Sequence, residues 1–386
     1  MSEMAKRKTD DSVDEQPAEI ESSSITEVAK ALDFDIADLE GVGAVRKKRL
    51  EESGISTPMD LVVIGPTEIA EVTGMDKSQA DKICRVAREY LERNDILRKS
   101  FQKASDTLKY RERQINTNRI STGCNSLNEL LGGGFEPQAV TEFYGIYGCG
   151  KTQICHTAAV MAQLPRDQGG LNGEVIWIDT EGTFRPERIR DIVVERGLVP
   201  LKPKSSKSDP NEPLNEEDVL RFLDRITVAN ATSASHQELI VDEIRSLMAV
   251  HQQDVKDGKV AETDPRPVLI IVDSLTTHFR VEYIGRGLLS PRQTSLNRHI
   301  HKLLKTAEIY NVAVIITNQV IANPEGFGNP IKPVGGNVLA HASTYRVYLR
   351  KGSATKRIAK MDDSPMHEQK EVVFSVEKSG VVDTDE

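Results

Sequence analysis

The sequence has no apolar run approaching the roughly 20 residues that a transmembrane helix needs, and its opening stretch, MSEMAKRKTDDSVDEQ, lacks the apolar segment of a secretory signal. A cytoplasmic location is therefore expected. Cysteine is scarce. Cys84, Cys124, Cys149 and Cys155 stand apart, without CxxC or metal-ligand spacing, which argues against a disulfide framework or a zinc site and for reduced thiols. Positive charge is not in excess either, since 59 Asp and Glu outnumber 50 Lys and Arg for a net charge of −9. Coating nucleic acid through global charge is thus disfavoured, while a local basic face stays open. No long tandem repeat is present. What remains is a chain of 386 residues, enough for one large domain with a sizeable core and one smaller domain.

Composition divides it. Residues 1–24 are polar and acidic with almost nothing to bury, and are expected to be disordered. From Ile25 to about residue 95, apolar residues recur at spacings of three and four in ITEVAKAL, VRKKRLEESG, PTEIAEVTG and SQADKICRVAREYL, which predicts a small all-helical domain. A charged linker spans 96–120. The remainder, 121–386, alternates short β-branched runs (AVTEFYG, EVIWIDTEG, RITVANA, PVLIIVDSL, NVAVIITNQV) with amphipathic stretches. That pattern predicts an α/β core with a mostly parallel twisted sheet and helices on both faces. The last segments, STYRVYLRKG, KRIAKMDD and KEVVFSVEKSG, lack intervening helices and are expected to be antiparallel strands at the sheet edge.

GIYGCGKT fits G-x-x-x-x-G-K-[ST] between a strand and a helix. Gly145, Gly148 and Gly150 let backbone N–H groups close around phosphate oxygens at a helix N-terminus, with Cys149 and Gln153 in the same loop and first turn. Lys151 would reach the β- and γ-phosphates, and the Thr152 hydroxyl would ligate Mg²⁺. Asp273 ends the apolar strand VLIIVDS and suits a Walker B carboxylate, although an Asp at a strand end also serves as a helix cap. For orienting the attacking water the candidates are Glu181 and, two residues earlier, Asp179. Gln319 ends another strand, where an amide could sense the γ-phosphate or merely terminate the strand.

GCGKTQ, DTEGTFRPERI, LIIVDS, ITNQV and LAHASTYRVYLRKG occur in the order found in the RecA-type DNA strand-exchange recombinases, and the chain resembles most closely their archaeal RadA branch and its eukaryotic relatives. The resemblance extends from about residue 25 to 383. It implies a RecA-like P-loop ATPase core, ATP with Mg²⁺, and Glu181 as the catalytic glutamate. It further implies that Arg188 stacks on adenine, that Gln319 links the γ-phosphate to DNA, that His341 senses nucleotide across a subunit interface, and that Asp363 caps the neighbouring protomer's ATP. The chain departs from the family pattern at Ile146 and Cys149, where Glu and Ser are common, and at Glu368, where a second cap proline is usual.

The segment HFRVEYIGRGLLSPRQTSLNRHIHKLLK carries six basic side chains against the single acid Glu282, which suits phosphate tracking on single-stranded DNA. Arg280, Tyr283 and Arg286 align with the family's first DNA loop, and ANPEGFGNPIKPVGGN, with Phe327 and Lys332, with the second. LEGVGAVRKKRLEESG has the form of a helix-hairpin-helix whose Gly41 and Gly43 could offer backbone N–H groups to a duplex phosphate. In the linker, Phe101 either packs on its own core or enters another chain. The resemblance favours the second, because FQKA matches the family's F-x-x-A polymerisation motif, with Phe101 and Ala104 inserting beside Ala229 and Ala231 of the next subunit. The expectation is an ATP-dependent recombinase forming rings or helical filaments on single-stranded DNA and exchanging strands with duplex, with recombination mediators as further partners and the nucleoid as its place of work. A regulatory paralogue that loads rather than pairs strands, or a hexameric helicase, are the rival readings.

Overall fold

The computed structural model describes residues 36–93, 97, 99–202, 213–256, 258–261, 264–322 and 331–384. The acidic tail, ITEVAKAL and Phe327 lie outside the described residues. The chain divides into two compact units, one ending at Lys99 and one beginning at Ser100.

In the first unit, helices α1 (Ala44–Glu52), α2 (Pro58–Ile64), α3 (Pro66–Thr73) and α4 (Lys77–Arg93) close on a core of Leu39, Leu50, Ile55, Leu61, Ile69 and Ile83. Local chemistry sets the starts. Thr57 accepts from the Asp60 N–H at 3.1 Å while Asp60 accepts from the Thr57 N–H at 2.9 Å, a reciprocal cap with Pro58 in the first turn. Gly41 sits at φ +96°, a conformation costly for other residues, and turns the chain into α1.

The second unit runs α5 (Ala104–Tyr110), α6 (Asn125–Leu130), β1 (Val140–Gly145), α7 (Lys151–Met161), β2 (Glu174–Asp179), α8 (Pro186–Glu195), α9 (Glu216–Asp224), β3 (Ile226–Asn230) and α10 (Ala234–Lys256). It continues with β4 (Pro267–Asp273), α11 (Thr277–Glu282), α12 (Leu289–Tyr310), β5 (Ala313–Asn318), β6 (Val320–Ala322), β7 (Ile331–Pro333), α13 (Gly336–Ala342), β8 (Tyr345–Lys351), β9 (Lys356–Asp363), β10 (Glu371–Glu377) and β11 (Gly380–Asp383). Among the described residues, nine strands form one sheet in the order β11-β10-β9-β8-β1-β5-β4-β2-β3.

The central strands are buried almost throughout and largely apolar because both faces are covered. Along β4, Leu269 and Ile271 face one apolar layer with Phe143 and Trp177, while Ile270 and Val272 face the other with Ile178 and Ile316. The C-terminal strands depart from expectation in one respect. β9, β10 and β11 are antiparallel, but β8 pairs with β1 in parallel, Glu142 opposite Arg346. The reason is α13, too short to show a helical period, which lies in the crossover from β5 and delivers β8 beside β1 in the same direction. Residues 111–120, expected to be linker, pack on the core: Ile115 and Ile120 are buried and Arg111 and Arg119 both pair with buried Glu136.

Candidate functional site

The parallel strands end together at the C-terminal edge of the sheet, the place where open α/β sheets collect ligands. The loop from β1 to α7 is closed in a way that only its glycines allow. A Cβ on Gly145 would lie 2.2 Å from the Leu349 carbonyl oxygen, and Gly148 and Gly150 have φ of +73° and +107°. Lys351 presses its Cε and Nζ against Gly148, so a second cation stands at the loop, contributed from β8, 203 residues away. Lys151 turns its ammonium into the concavity, 3.0 Å from the Gly145 carbonyl and 3.3 Å from that of Ile146. Cys149 is buried there, and burial pushes its thiol pKa up, so it packs as a neutral group.

Thr152 Oγ1 donates to Asp273 Oδ2 at 2.7 Å. Asp273 is buried and accepts further from Thr183 Oγ1 at 3.1 Å and from Thr317 Oγ1. Burial pushes its carboxyl pKa up, hydrogen bonds from Thr317 and Thr152 oppose that, and the charge of Glu181 adds to it. A hydroxyl and a carboxylate meeting at the mouth of a phosphate loop form the hard oxygen pair that Mg²⁺ favours, so the residues present fit the ion. Asp179, the competing carboxylate, is committed elsewhere: it accepts backbone N–H bonds from Glu181, Thr183 and Phe184 at 3.0–3.1 Å and shapes the loop that presents Glu181.

Glu181 is exposed, and its Oε1 accepts from Thr277 Oγ1 at 2.6 Å, Gln319 Nε2 at 2.8 Å and Ser274 Oγ at 2.9 Å. Arg280 on α11 donates to the other end of the Gln319 amide. Carboxylate, amide and guanidinium therefore form one hydrogen-bonded chain from the phosphate-loop side of the sheet edge to the basic segment.

Arg188 lies at the other flank. Its Nε donates to Gln153 Oε1 at 2.7 Å and its terminal nitrogens to the Glu377 and Lys378 carbonyls in the β10–β11 turn. Beneath it, His156 is held neutral with its pKa pushed down to about 4 by burial, between Trp177 and Phe184. His341 and Asp363 are exposed at the ends of α13 and β9, away from these bonds.

The basic segment is arranged less simply than its composition suggests. Tyr283 is half-buried against the apolar layer, while Val281 and Ile284 are the exposed apolar side chains beside it. Arg286 begins a short turn before α12, and Lys332 lies on β7, paired with Ile321 of β6. Phe101 is 95% exposed just ahead of Ala104, the first residue of α5. Ala229 lies on β3, the edge strand, with Ala231 buried just beyond it. In the first unit, Gly43 precedes α1, whose N-terminus carries no side-chain cap, with Lys47, Lys48 and Arg49 on the helix that follows. Thr183, Ser274, Thr277, Thr317 and Lys351 were not singled out from sequence. Thr183, two residues after Glu181, and Ser274, next to Asp273, had a local signal.

Residues 112–384 match the family described as Rad51. The chain belongs to the Rad51 family. Residues 33–89 match the SAM-like helix-hairpin-helix tandem, in agreement with the helical unit. Among curated relatives, the chain is 45% identical over 354 residues to "DNA repair and recombination protein RadA" of Cenarchaeum symbiosum (strain A), covering 92% of this chain and 80% of that protein. Rad51 membership agrees with the RecA-like core and the preceding helical unit described above.

Proposed function

We propose that this chain is an ATP-dependent DNA recombinase that assembles on single-stranded DNA and exchanges strands with homologous duplex. The observation that carries the reading is the chain Glu181–Gln319–Arg280, which joins a water-orienting carboxylate to a basic segment through one amide.

In this reading Lys151 and the loop N–H groups of Gly148, Cys149 and Gly150 bind the β- and γ-phosphates, with Gly145 giving the loop room to close. Thr152 and Asp273 hold Mg²⁺, which supplies charge neutralisation on the phosphate oxygens. Arg188 and Gln153 flank the base, and His341 and Asp363 face the nucleotide of an adjacent protomer. Glu181 orients water, and Gln319 reports to Arg280 whether the γ-phosphate is present. Arg280, Tyr283 and Arg286, with Phe327 and Lys332 of the second loop, contact single-stranded DNA, and Gly41 and Gly43 contact a duplex backbone. Phe101 and Ala104 of one subunit dock beside Ala229 and Ala231 of the next, a head-to-tail contact that generates rings or filaments. In the same reading the helical DNA-binding unit spans 25–95 and the ATPase core 121–386, after an acidic tail at 1–24, and the 96–120 linker has its 111–120 end packed on that core.

Two variants test this. Lys151→Ala should lose ATP hydrolysis, and hydrolysis at the parent rate would refute the phosphate-loop assignment. Phe101→Glu should abolish filaments in electron micrographs, and long filaments from that variant would refute the assembly motif.

A further inference from the structure

Four adjacent strands carry a row of polar side chains across a face that is otherwise apolar. At one end, Asn318 on β5 is fully buried with both ends of its amide engaged. Its Oδ1 accepts from Thr276 Oγ1 at 2.9 Å, at the start of α11, and its Nδ2 donates to the Val334 carbonyl at 2.7 Å, just after β7. One amide thus fastens the roots of both candidate DNA loops.

The same Nδ2 donates to Glu142 Oε1 on β1 at 2.7 Å, and Arg346 Nε on β8 donates to Glu142 Oε2 at 2.7 Å. Glu142 and Arg346 face each other in register, and the backbone of Arg346 lies opposite that of Asp363 in the register with β9. The Arg346 guanidinium lies 5.5 Å from the centre of the Tyr144 ring, and Tyr144 OH donates to Asp362 at 2.7 Å. Burial works against the charge of Arg346, but Glu142 outweighs it and leaves the pKa raised, so the guanidinium keeps its charge. The row ends beside Asp363.

Such a row gives little stability for what it costs. A buried ion pair is on average no better than well-packed apolar side chains of similar volume. The neighbours on this face, Val140, Val314 and Ile316, show that apolar packing is available. Arg346 Nη2 is moreover buried without a hydrogen-bond partner. A row of hydrogen-bonded side chains does, however, hold its members in fixed mutual geometry.

We infer that the row Thr276–Asn318–Glu142–Arg346–Tyr144–Asp362 is a positioning device that couples the seating of the two DNA loops to the placement of the nucleotide cap at Asp363. The inference rests on the DNA and nucleotide roles proposed above. None of the six residues is required to touch DNA or nucleotide. They act through Arg280, Gln319 and the second loop at one end, and through Asp363 at the other.

The test uses isosteric changes at the two ends, Thr276→Val and Tyr144→Phe, singly and together in the full chain, with thermal melts to establish folding. The readout is the ratio of affinities for an oligo-dT strand with and without a non-hydrolysable ATP analogue, which by linkage equals the effect of DNA on nucleotide affinity. Each single variant should lower that ratio about three-fold or more, the scale for residues in a coupling network. The double variant should lower it no further than the stronger single, because both cut one row. Ratios equal to the parent's, or losses that multiply, would overturn the inference while leaving the proposed function intact. A parent protein whose DNA affinity ignores the nucleotide would instead overturn the function itself. If Thr276→Val does not fold, Tyr144→Phe alone decides, since it keeps the ring and its stack on Tyr348.

Discussion

Thr152 and Asp273 are 121 residues apart in sequence, yet the threonine hydroxyl donates directly to the aspartate carboxylate at 2.7 Å. The bond closes the phosphate loop against the central strand β4. Thr152→Val removes one of three hydroxyl donors from a buried carboxylate and should cost about 1–3 kcal/mol of stability. Affinity for an ATP analogue should lose its dependence on Mg²⁺. A magnesium titration of analogue binding checks this, and a parent-like dependence would remove Thr152 from the ion's site.

Glu181 receives three hydrogen bonds on a single oxygen, which fixes its direction without burying it. Glu181→Gln should lower ATP turnover by about 100-fold or more while nucleotide binding persists, as expected for loss of a positioned base. Gln319→Ala should leave DNA-free hydrolysis closer to the parent's and remove the stimulation by single-stranded DNA. Steady-state turnover with and without an oligonucleotide separates the two effects. Equal stimulation in Gln319→Ala would break the link to Arg280.

These residues were unequally legible in the sequence. The phosphate loop and Asp273 announce themselves because their chemistry is local: glycines, a lysine and a hydroxyl at fixed spacing, and an acid closing an apolar strand. Of the five side chains that hold Asp273 and Glu181, or stand against the loop, two belong to other strands. Thr317 reaches Asp273 only because β5 lies beside β4, and Lys351 reaches Gly148 only because β8 pairs with β1 in parallel. Strand order is a tertiary outcome that no window of residues contains. The polar row from Thr276 to Asp362 was invisible for the same reason. Tyr283 likewise packs half-buried against the apolar layer, a placement that the basic loop around it does not announce.

Glu136 holds the entry to the core. It is buried and accepts from Arg111 at 2.8 Å, from Arg119 and from the Tyr345 hydroxyl. Glu136→Ala strands the buried Arg119 charge and should destabilise the chain by about 3–5 kcal/mol. Urea denaturation measures it. A loss within about 0.5 kcal/mol would mean that residues 111–120 are held by Ile115 and Ile120 alone.

Two buried histidines set the acid side of the stability profile. Burial pushes His156 down to about 4 and His299 down to about 3, from an ordinary value of 6.5. The unfolded chain therefore binds more protons between pH 6.5 and those values. Their contribution is complete above about pH 6.5 and is lost as pH falls, at up to about 1.4 kcal/mol per pH unit for each histidine. Melting temperature should drop between about pH 7.5 and pH 5 while the imidazole proton resonances of both residues stay in their neutral positions. Titration of either resonance near 6.5 would contradict the assignment.

The account turns on what the site does with DNA. The most direct measurement is transfer of a strand from a labelled duplex to a homologous single-stranded oligonucleotide, with ATP and Mg²⁺, for the parent chain beside Lys151→Ala. The account predicts product that requires both homology and nucleotide and is absent from the Lys151→Ala reaction. ATP hydrolysis and DNA binding by the parent without any exchanged product would contradict it.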